Sequence, residues 1–512
     1  MHSLAHSDGE KLTTQLEDDF MLPSDENALL IALPPRKLTD RLMRAYWQFE
    51  WSLFPVLDRR KIDAVYQSLW IPTHQPKSPM KLSIIYLCLA LGSQYDVSLP
   101  LEEYQSTGQR FLAQAQATFA KLPYLPSLEM VHLLLLFGMY LQSTSHVFRC
   151  WMVVGEAIRM AQSLGLYLDQ DVPGKSLYER EILRRTWHGC VWLDRVLSAT
   201  LGRPGIIPRL LFNSTPLPRM IDDQFLDTQV QEDSRPSIMA FPVKAFQLYQ
   251  ILDDILVKIY LPCSQKRGIK DMFDIVSEID QQIHAWTTSL PAHLCYQHGT
   301  KQDDPIIDRQ CTILKIRSLH IRMLLFRPIL VEFLKSSSGT GSSADPLPCL
   351  SGGSYTSMRA LNPMLSEYSR LCCQLAHEMV DIYSRNLDAV SLRTSPLPPY
   401  WYSLLYVFTA AIILVVERFL YRDSRTDPGR KHAATSSSWS SCIRIIQTYS
   451  AMTDSVTQCL EVLETLAKTV DMQEHRHAQA NFHRSFVDMK RFLGESTRSL
   501  PPFCSDDFLW LG

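Results

Sequence analysis

Residues 151–166 read WMVVGEAIRMAQSLGL, and this stretch decides the fold class of the chain. Its large apolar residues recur at steps of three and four, which places them on one face of an α-helix. They are Trp151, Val154, Ile158 and Ala161. Leu164-Gly165-Leu166 then supplies a glycine between two apolar residues, a pattern that often ends a helix in a left-handed turn. The stretch therefore predicts an amphipathic helix that stops near Gly165.

The same apolar spacing continues on both sides of this helix. The predicted helices cover residues 81–95, 102–120, 128–142, 148–165 and 178–201. The last of them pairs Glu181 with Arg185 at i and i+4 in the favourable order. No run of Val, Ile and Thr alternates with polar residues between turn signals, so we expect an all-α fold.

The composition favours a globular protein and argues against a dedicated DNA-binding domain. Of 512 residues, 46% are hydrophobic, which is enough for a buried core. Lys and Arg number 51 against 53 for Asp and Glu, a net charge of −2, whereas DNA-binding domains usually carry a basic excess. The densest basic stretches, 59–61 and 430–432, are too short for a nucleic-acid footprint. We do not expect this chain alone to contact DNA.

The cysteines indicate a reducing compartment with buried free thiols. There are 12 of them, no C-x-x-C pair occurs, and none precedes Cys88. The first residues, MHSLAHSDGE, have neither the basic start nor the apolar segment of a signal peptide. We therefore expect no disulfide, no structural zinc site and no other cofactor.

One segment resembles a membrane span. Residues 399–416 (PYWYSLLYVFTAAIILVV) carry no charge over 18 positions, the lower limit for crossing a bilayer. Only one such run exists, and a helix buried in a large all-α core has the same composition. The core helix is the favoured interpretation, and no membrane association is expected.

Composition also divides the chain. Two stretches rich in Ser and Gly cannot bury enough apolar area to offset their ordering entropy, and they are predicted to be flexible. The predicted organisation is a flexible leader over 1–36, a main helical body over 37–334, a linker over 335–358, a continuation of the body over 359–422, a second linker over 423–441, C-terminal helices over 442–495 and an acidic-aromatic tail over 496–512. In the tail, acidic residues adjoin Phe508 and Trp510. Two interpretations stay open, a minimal activation segment and a tail docked on the body.

One motif suggests a different class of function, an all-α magnesium-dependent enzyme acting on diphosphates. Asp222, Asp223 and Asp227 are spaced as paired magnesium-binding aspartates are, and a second set at Asn481, Ser485 and Asp488 comes close to the required pattern. However, the first set follows Pro216-Leu217-Pro218, which places it in a loop or at a helix start. We keep this enzyme as the less favoured alternative.

Two other motifs give little support to a cofactor or metal site. Gly339 to Ala344 formally match G-x-G-x-x-A, but a dinucleotide site needs that run between a strand and a helix, and here it lies inside a Ser/Gly linker. His475 and His477 point away from each other on a helix and cannot share a metal. No catalytic residue is predicted.

Several segments, in one order, resemble the fungal-specific transcription factor domain, the middle homology region of fungal binuclear zinc-cluster transcription factors. They include residues 40–57 (DRLMRAYWQFEWSLFPVL), 151–166 and 179–206 (EREILRRTWHGCVWLDRVLSATLGRPGI). The Pro216-Leu217-Pro218 run, the Leu-His and Arg-Pro helix around 319–328, and 397–411 (LPPYWYSLLYVFTAA) extend the resemblance from about 38 to 420. One departure is His188, where members often have a second tryptophan beside Trp187.

The resemblance singles out a set of motif residues. They are Trp151, Gly155, Arg159, Gly165, Arg184, Arg185, Trp187, Asp194, Arg195, Ser198, Gly202, Arg203, Pro204, Arg327, Pro328 and Trp401. The charged members could anchor a small-molecule effector or could pair with one another. Because buried charges persist only when paired and hydrogen-bonded, the internal network is the favoured interpretation.

A six-cysteine zinc cluster, usual at the front of family members, is not expected in this chain, since its cysteines begin at Cys88. Either the gene lacks that module or the gene model is truncated. The resemblance implies a nuclear transcriptional regulator, controlling a metabolic or secondary-metabolite gene set. Its expected partners are the transcription machinery or a DNA-binding partner protein, together with a small-molecule effector. A co-regulator that never touches DNA and acts through a zinc-cluster partner is the nearest alternative.

Overall fold

The computed structural model describes residues 33–71, 78–122, 124–144, 146–168, 174–227, 235–261, 269–337, 355–387, 392–420 and 428–472. Over these residues the chain is predominantly helical and contains no strand, so the all-α prediction is confirmed. Fourteen α-helices follow one another in the described chain. They are α1 (Arg36–Ala45), α2 (Arg59–Ser68), α3 (Pro79–Ser93), α4 (Tyr104–Phe119), α5 (Leu128–Gln142), α6 (Val147–Ser163), α7 (Leu177–Leu201), α8 (Ala240–Ile255), α9 (Ile269–Thr288), α10 (Pro305–Ser337), α11 (Tyr355–Asn386), α12 (Tyr400–Leu420), α13 (Pro428–Thr448) and α14 (Ser455–Met472).

Serine caps explain where several helices begin. Ser78, Ser127 and Ser176 each accept a hydrogen bond from the backbone N–H three residues later, at 3.4, 3.1 and 3.2 Å. At α7, the Glu179 carboxylate also accepts a hydrogen bond from the Ser176 backbone N–H, which completes a capping box. Helix α6 ends beside Gly165, whose φ of 67° is the left-handed turn that its sequence predicts.

One large hydrophobic core extends through most of the described chain, and a small separate cluster contains Tyr178, Ile182 and Leu226. The large core runs from Leu42 in α1 to Leu463 in α14. Helices α3 and α5 are buried on nearly all sides, which fits their lack of a polar face. Among the described helices, one window, Tyr400–Arg418 of α12, is long and apolar enough to cross a membrane, and 72% of it is buried inside the fold. This helix packs against α10, α11, α13 and α14, which supports the core-helix interpretation.

The predicted flexible linker over 423–441 is wrong from Pro428 onward, because α13 begins there. Serine and threonine in this stretch suggested a loop, but the fold gives them partners. Thr435 Oγ1 donates to Glu417 of α12 at 3.0 Å, and Ser438 Oγ lies 2.8 Å from Nδ1 of His377 in α11. Cys442 is fully buried one turn later. Tertiary packing thus overrides the weak local preference.

Several other predicted segments lie outside the described residues. They are most of the leader, residues 338–354 of the first linker, the histidines at 475–483 and the acidic-aromatic tail. Helices α10 and α11 extend into the two ends of the predicted first linker. All nine cysteines in the described segments are free thiols, and eight of them are buried.

Candidate functional site

The first half of α7 is tied to the loop that carries the paired aspartates. Arg185 is 1% exposed, and its guanidinium donates to Glu181 Oε1 at 3.1 Å and to Asp223 Oδ1 at 2.7 Å. Burial alone would lower the pKa of Arg185, but the attraction of Asp223 and Glu181 outweighs it and raises that pKa. Glu181 Oε1 also accepts the backbone N–H of Arg219 at 3.0 Å. The buried arginine therefore stays charged and fixes this loop on the helix.

Each aspartate of the suggested magnesium motif already has a protein partner. Asp223 binds Arg185, Asp222 accepts from the hydroxyl of Ser237 at 2.7 Å, and Asp227 lies 3.6 Å from Arg60. Asp223 opens a single turn of 3₁₀-helix, in line with the predicted loop or helix start. These contacts give the aspartates a structural role, and the diphosphate-enzyme alternative is not favoured.

The second half of α7 holds a buried carboxylate against the chain that follows. Asp194 is 3% exposed and accepts the backbone N–H groups of Ile206 and Ile207 at 3.0 and 2.8 Å. Burial raises the pKa of Asp194, while Arg195 and the two N–H groups oppose that increase. The carboxylate thus acts as a clamp on the turn after Gly202, which ends α7 in a left-handed conformation with φ of 62°.

Arg195 stands at the centre of this turn. Its Nε lies 3.3 Å from Asp253 Oδ1 of α8, its Nη1 lies 3.5 Å from Asp194, and its Nη2 donates to the carbonyl of Ile207. The guanidinium also lies 4.3 Å from the ring centroid of Phe212. Burial lowers the pKa of Arg195, and the two carboxylates oppose that decrease. The side chain joins α7, α8 and the turn between them.

The remaining motif residues pack around this turn or lie elsewhere. On α6, Gly155 faces Ile206, and the exposed Arg203 guanidinium lies 4.6 Å from the ring of Trp151. Arg159 is exposed on the same helix, and Pro204 is exposed in the turn. Within α7, Trp187 is fully buried and donates to the carbonyl of Leu211 at 3.3 Å, Ser198 donates to the carbonyl of Asp194 at 2.7 Å, and Arg184 is buried.

The α7 cluster is formed by Arg185, Asp194 and Arg195 of α7 with their partners Glu181, Asp223 and Asp253. Three motif residues are not part of it. Arg327 and Pro328 lie inside α10, where the Arg327 guanidinium is 5.4 Å from the ring of Tyr260. Trp401 lies in the first turn of α12, and it lines a cavity of its own. His188, which departs from the family pattern, is buried and binds the carbonyls of Thr215 and Pro216 at 3.3 and 3.1 Å. Burial lowers the pKa of His188 to about 4, so the ring is neutral.

The cavity beside Trp401 has a volume of about 20 Å³ and opens to solvent. We call it the arginine cavity, because Arg309 of α10 and Arg393 of the segment before α12 lie in its wall. The other lining residues are Gln94, Tyr95, Leu392, Leu397, Pro398, Pro399, Tyr400, Trp401 and Met452. Of these residues, sequence reasoning singled out only Trp401. No spacing could have joined residues 94, 309 and 393, which only the folded chain brings together.

A buried acid lies behind the arginine cavity. Tyr95 Oη donates to Glu50 Oε1 at 2.9 Å, and the Arg309 guanidinium lies 5.3 and 5.4 Å from the stacked rings of Phe49 and Tyr95. Burial raises the pKa of Glu50 to about 6, against the opposing effects of Arg309, Tyr95 and Arg317. Arg309 also donates to the carbonyl of Phe49 at 2.6 Å.

The α7 cluster lies in a part of the chain that matches a known family of domains. Residues 43–288 match the family model of the fungal specific transcription factor domain. This chain carries a fungal specific transcription factor domain. The matched residues include α2 to α9 and the whole α7 cluster, whereas the resemblances quoted at 319–328 and 397–411 lie beyond them.

Curated proteins similar to this chain carry transcription-factor names. Sorbicillinoid biosynthetic cluster transcription factor 2 of Penicillium rubens is 25% identical over 466 residues, 88% of this chain and 64% of that protein. Sorbicillinoid biosynthetic cluster transcription factor sor3 of Hypocrea jecorina is 24% identical over 449 residues, 85% of this chain and 60% of that protein. Activator of stress genes 1 of Saccharomyces cerevisiae is 23% identical over 393 residues, 74% of this chain and 38% of that protein. The chain thus spans less than two thirds of the length of these relatives.

Proposed function

We propose that this chain is a fungal-type transcriptional regulator of a metabolic or secondary-metabolite gene set. The observation that carries the proposal is the fungal specific transcription factor domain over 43–288, within a chain that aligns over 88% and 85% of its length with two regulators of a biosynthetic cluster. The α7 cluster supports it, because its charged residues bind one another and thereby hold a helical body together.

The proposed place of action is the nucleus, and the proposed partners are the transcription machinery or a DNA-binding partner protein. A net charge of −2 provides no general attraction to DNA phosphates, so contact with promoters through a partner suits this chain. The same charge supports the second candidate function, a co-regulator that works through a zinc-cluster partner.

A tethering experiment tests the proposal. The full chain would be fused to a bacterial DNA-binding domain in a fungal host with a matching reporter. We expect the fusion to change reporter expression relative to the DNA-binding domain alone at equal protein level. In the native host, deletion of the gene should change the transcripts of one co-regulated set of genes. A silent reporter together with an unchanged transcriptome would contradict the proposal.

The two candidate functions are separated by what accompanies the chain on chromatin. If the co-regulator function is correct, promoter occupancy will be lost when a zinc-cluster partner is removed, and purification of the chain will recover that partner. Occupancy that persists without any partner would favour direct regulation. As a check on the enzyme alternative, purified protein with magnesium and prenyl diphosphates should release no pyrophosphate.

A further inference from the structure

One face of α6 exposes large apolar side chains to solvent. Phe148 and Met152 lie one turn apart on this helix, and each is 48% exposed. Trp151 beside them is half-buried, and its ring centroid lies 6.1 Å from that of Phe148. Helix α6 packs against α5 and α7 with its other faces, and no described element covers this one. Exposed apolar side chains that cluster in this way, unlike those scattered singly, mark sites of interaction.

Two exposed arginines border this face. The Arg203 guanidinium lies 4.6 Å from the ring centroid of Trp151, and Arg159 follows two turns later on α6 itself. No acid of the described segments forms an ion pair with either arginine. The one acid of α6, Glu156, instead accepts a hydrogen bond from the hydroxyl of Tyr124. Two positive charges therefore lie at the edge of the apolar face without an ion-pair partner.

We call this surface the α6 patch, and its members are Phe148, Trp151, Met152, Arg159 and Arg203. Aromatic residues, methionine and arginine are the residue types that are enriched in interfaces between proteins. Aromatic rings and arginines also contribute most of the binding energy there. The fold itself gains little from apolar side chains that stay about half exposed, because stabilisation follows the apolar area removed from water. The α6 patch is therefore suited to an occupant that is both acidic and apolar.

The chain itself contains a segment of this chemistry, in the acidic-aromatic tail that lies outside the described residues. Residues 505–510 read Ser-Asp-Asp-Phe-Leu-Trp. Asp506 and Asp507 supply two carboxylates, the number that the two guanidinium groups of the patch would pair. Phe508, Leu509 and Trp510 supply the apolar side chains that the exposed face of α6 would cover. Both the charge and the apolar character of the segment thus complement the α6 patch.

The connection between the two is long enough. Helix α14 ends at Met472, and residues 473–504 separate it from Ser505. A chain of that length spans up to about 100 Å, whereas a folded body of this size has a radius of gyration of about 23 Å. The segment can therefore reach any point on the surface of the body. Because it is tethered, its effective concentration there is high, and even a weak contact will be occupied.

We propose that the acidic-aromatic tail of this chain docks on its own α6 patch. The apolar side chains of residues 508–510 cover the exposed face of α6, and the aspartates before them pair with Arg159 and Arg203. Of the two interpretations of the tail that its sequence leaves open, this is the docked one. The contact lies within one chain, so the inference does not depend on the proposed regulatory function.

Substitutions in the tail and in the patch test whether the contact is specific. Trp510→Ala removes the largest apolar side chain of the segment, so disulfide formation between Cys504 and a cysteine placed at Met152 should slow at least tenfold. Arg203→Glu should slow it about two- to fivefold, the usual effect of losing an exposed ion pair, and Asp507→Arg in the same protein should restore it. Arg44→Glu is the matched control, because it makes the same charge change at an exposed arginine of α1 and should leave the rate unchanged.

These rates are measured by disulfide trapping in the purified full chain, because Cys504 directly precedes the segment. Met152→Cys places a thiol in the α6 patch, and Met364→Cys places the control thiol on α11, at a residue that is 43% exposed. With oxidised glutathione as the oxidant and peptide mass spectrometry to map the links, we expect the link to Cys504 to form at least tenfold faster in Met152→Cys than in Met364→Cys. Cys504→Ser should abolish it.

Equal rates for the two introduced thiols would overturn the proposal and leave the patch to a partner segment of similar chemistry. Links between two chains, seen as a doubled mass on a non-reducing gel, would place the tail on a second copy and overturn it as well. Unchanged rates in Trp510→Ala and Arg203→Glu would show that the tail meets the patch without binding it. The melting temperature checks the fold of each variant, and Arg159→Glu takes the place of Arg203→Glu if that protein is unstable. Because purified protein is used, a failure here leaves the proposed regulatory function untouched.

Discussion

Arg195 occupies the space that a side chain at Gly205 would need. A Cβ built on Gly205 would lie 1.4 Å from Arg195 Nη1 and 2.6 Å from Arg195 Cζ. The guanidinium cannot move away from such a Cβ, because Asp253, the Ile207 carbonyl and the Phe212 ring surround it in a buried site. The turn after α7 is therefore built around a buried cation, and only glycine fits against it.

The first prediction concerns this contact. Gly205→Ala should lower the free energy of unfolding by about 1–3 kcal/mol, the usual cost of overpacking a tight site. Urea denaturation followed by circular dichroism would measure it. Gly155→Ala is the control, since its added methyl group meets the flexible ends of Ile206 at 3.2 Å and Arg159 at 3.5 Å inside a helix. Equal stability of the two variants would show that Arg195 can move aside.

The second prediction concerns Asp194. Asp194→Ala removes the acceptor of two backbone N–H groups and one of the carboxylates beside Arg195. Breaking such a buried pair from one side typically costs about 3–5 kcal/mol, so urea denaturation should show a loss of this size. Asp194→Asn keeps one acceptor oxygen and should cost less. A variant as stable as the parent, but with a reporter that no longer responds to an inducer, would instead indicate effector binding.

The third prediction is a pH dependence of stability that arises from Glu50. Its pKa is raised from 4.5 to about 6 in the folded protein, so folding favours the protonated form. The resulting stabilisation is complete below about pH 4.5 and is lost as the pH rises through 6. The shift corresponds to about 2 kcal/mol. Relative to Glu50→Gln, the parent should therefore lose about that much free energy of unfolding between pH 4.5 and 7.5.

The matched control for this titration is Glu278→Gln, at an exposed acid that lies 2.9 Å from Lys258. This variant shows what the loss of one carboxylate at another place does to stability. If the profiles of the parent and Glu50→Gln run parallel, the Glu50 carboxyl is not held in the protonated form by the fold.

The helices were predictable because the signals that define them, apolar spacing and capping residues, lie within each helix or next to it in the sequence. Apolar spacing and caps in 81–201 predicted five helices, and each observed boundary lies within two residues of its prediction. The α7 cluster was predictable in kind, since a sequence that places Arg184, Arg185, Asp194 and Arg195 on one buried helix requires internal partners. The identity of those partners, Asp223 and Asp253, was not contained in any spacing.

Two features depended on tertiary contacts and were not predicted. The serines of 436–441 favour a loop by themselves. Helix α13 forms nevertheless, because Cys442 and Ile446 are buried in the hydrophobic core. In addition, Thr435 and Ser438 form hydrogen bonds with polar side chains of α12 and α11. The arginine cavity draws on residues more than 200 positions apart. Neither apolar periodicity nor a short motif indicates that residues so far apart in the sequence will line one cavity.

The last prediction is that the purified chain of 512 residues binds DNA weakly or not at all. Specific binding needs side chains that reach base edges and several Lys or Arg that neutralise phosphates, whereas this chain has a net charge of −2 and its longest basic runs are three residues. Its non-specific affinity should be weaker than the usual range of about 10⁻⁴–10⁻⁶ M at physiological salt. Fluorescence anisotropy with labelled promoter fragments would measure this, and a fusion to a bacterial DNA-binding domain serves as the positive control for folded protein. Sequence-specific nanomolar binding by the unfused chain would contradict the prediction and would place a base-reading surface on the helical body.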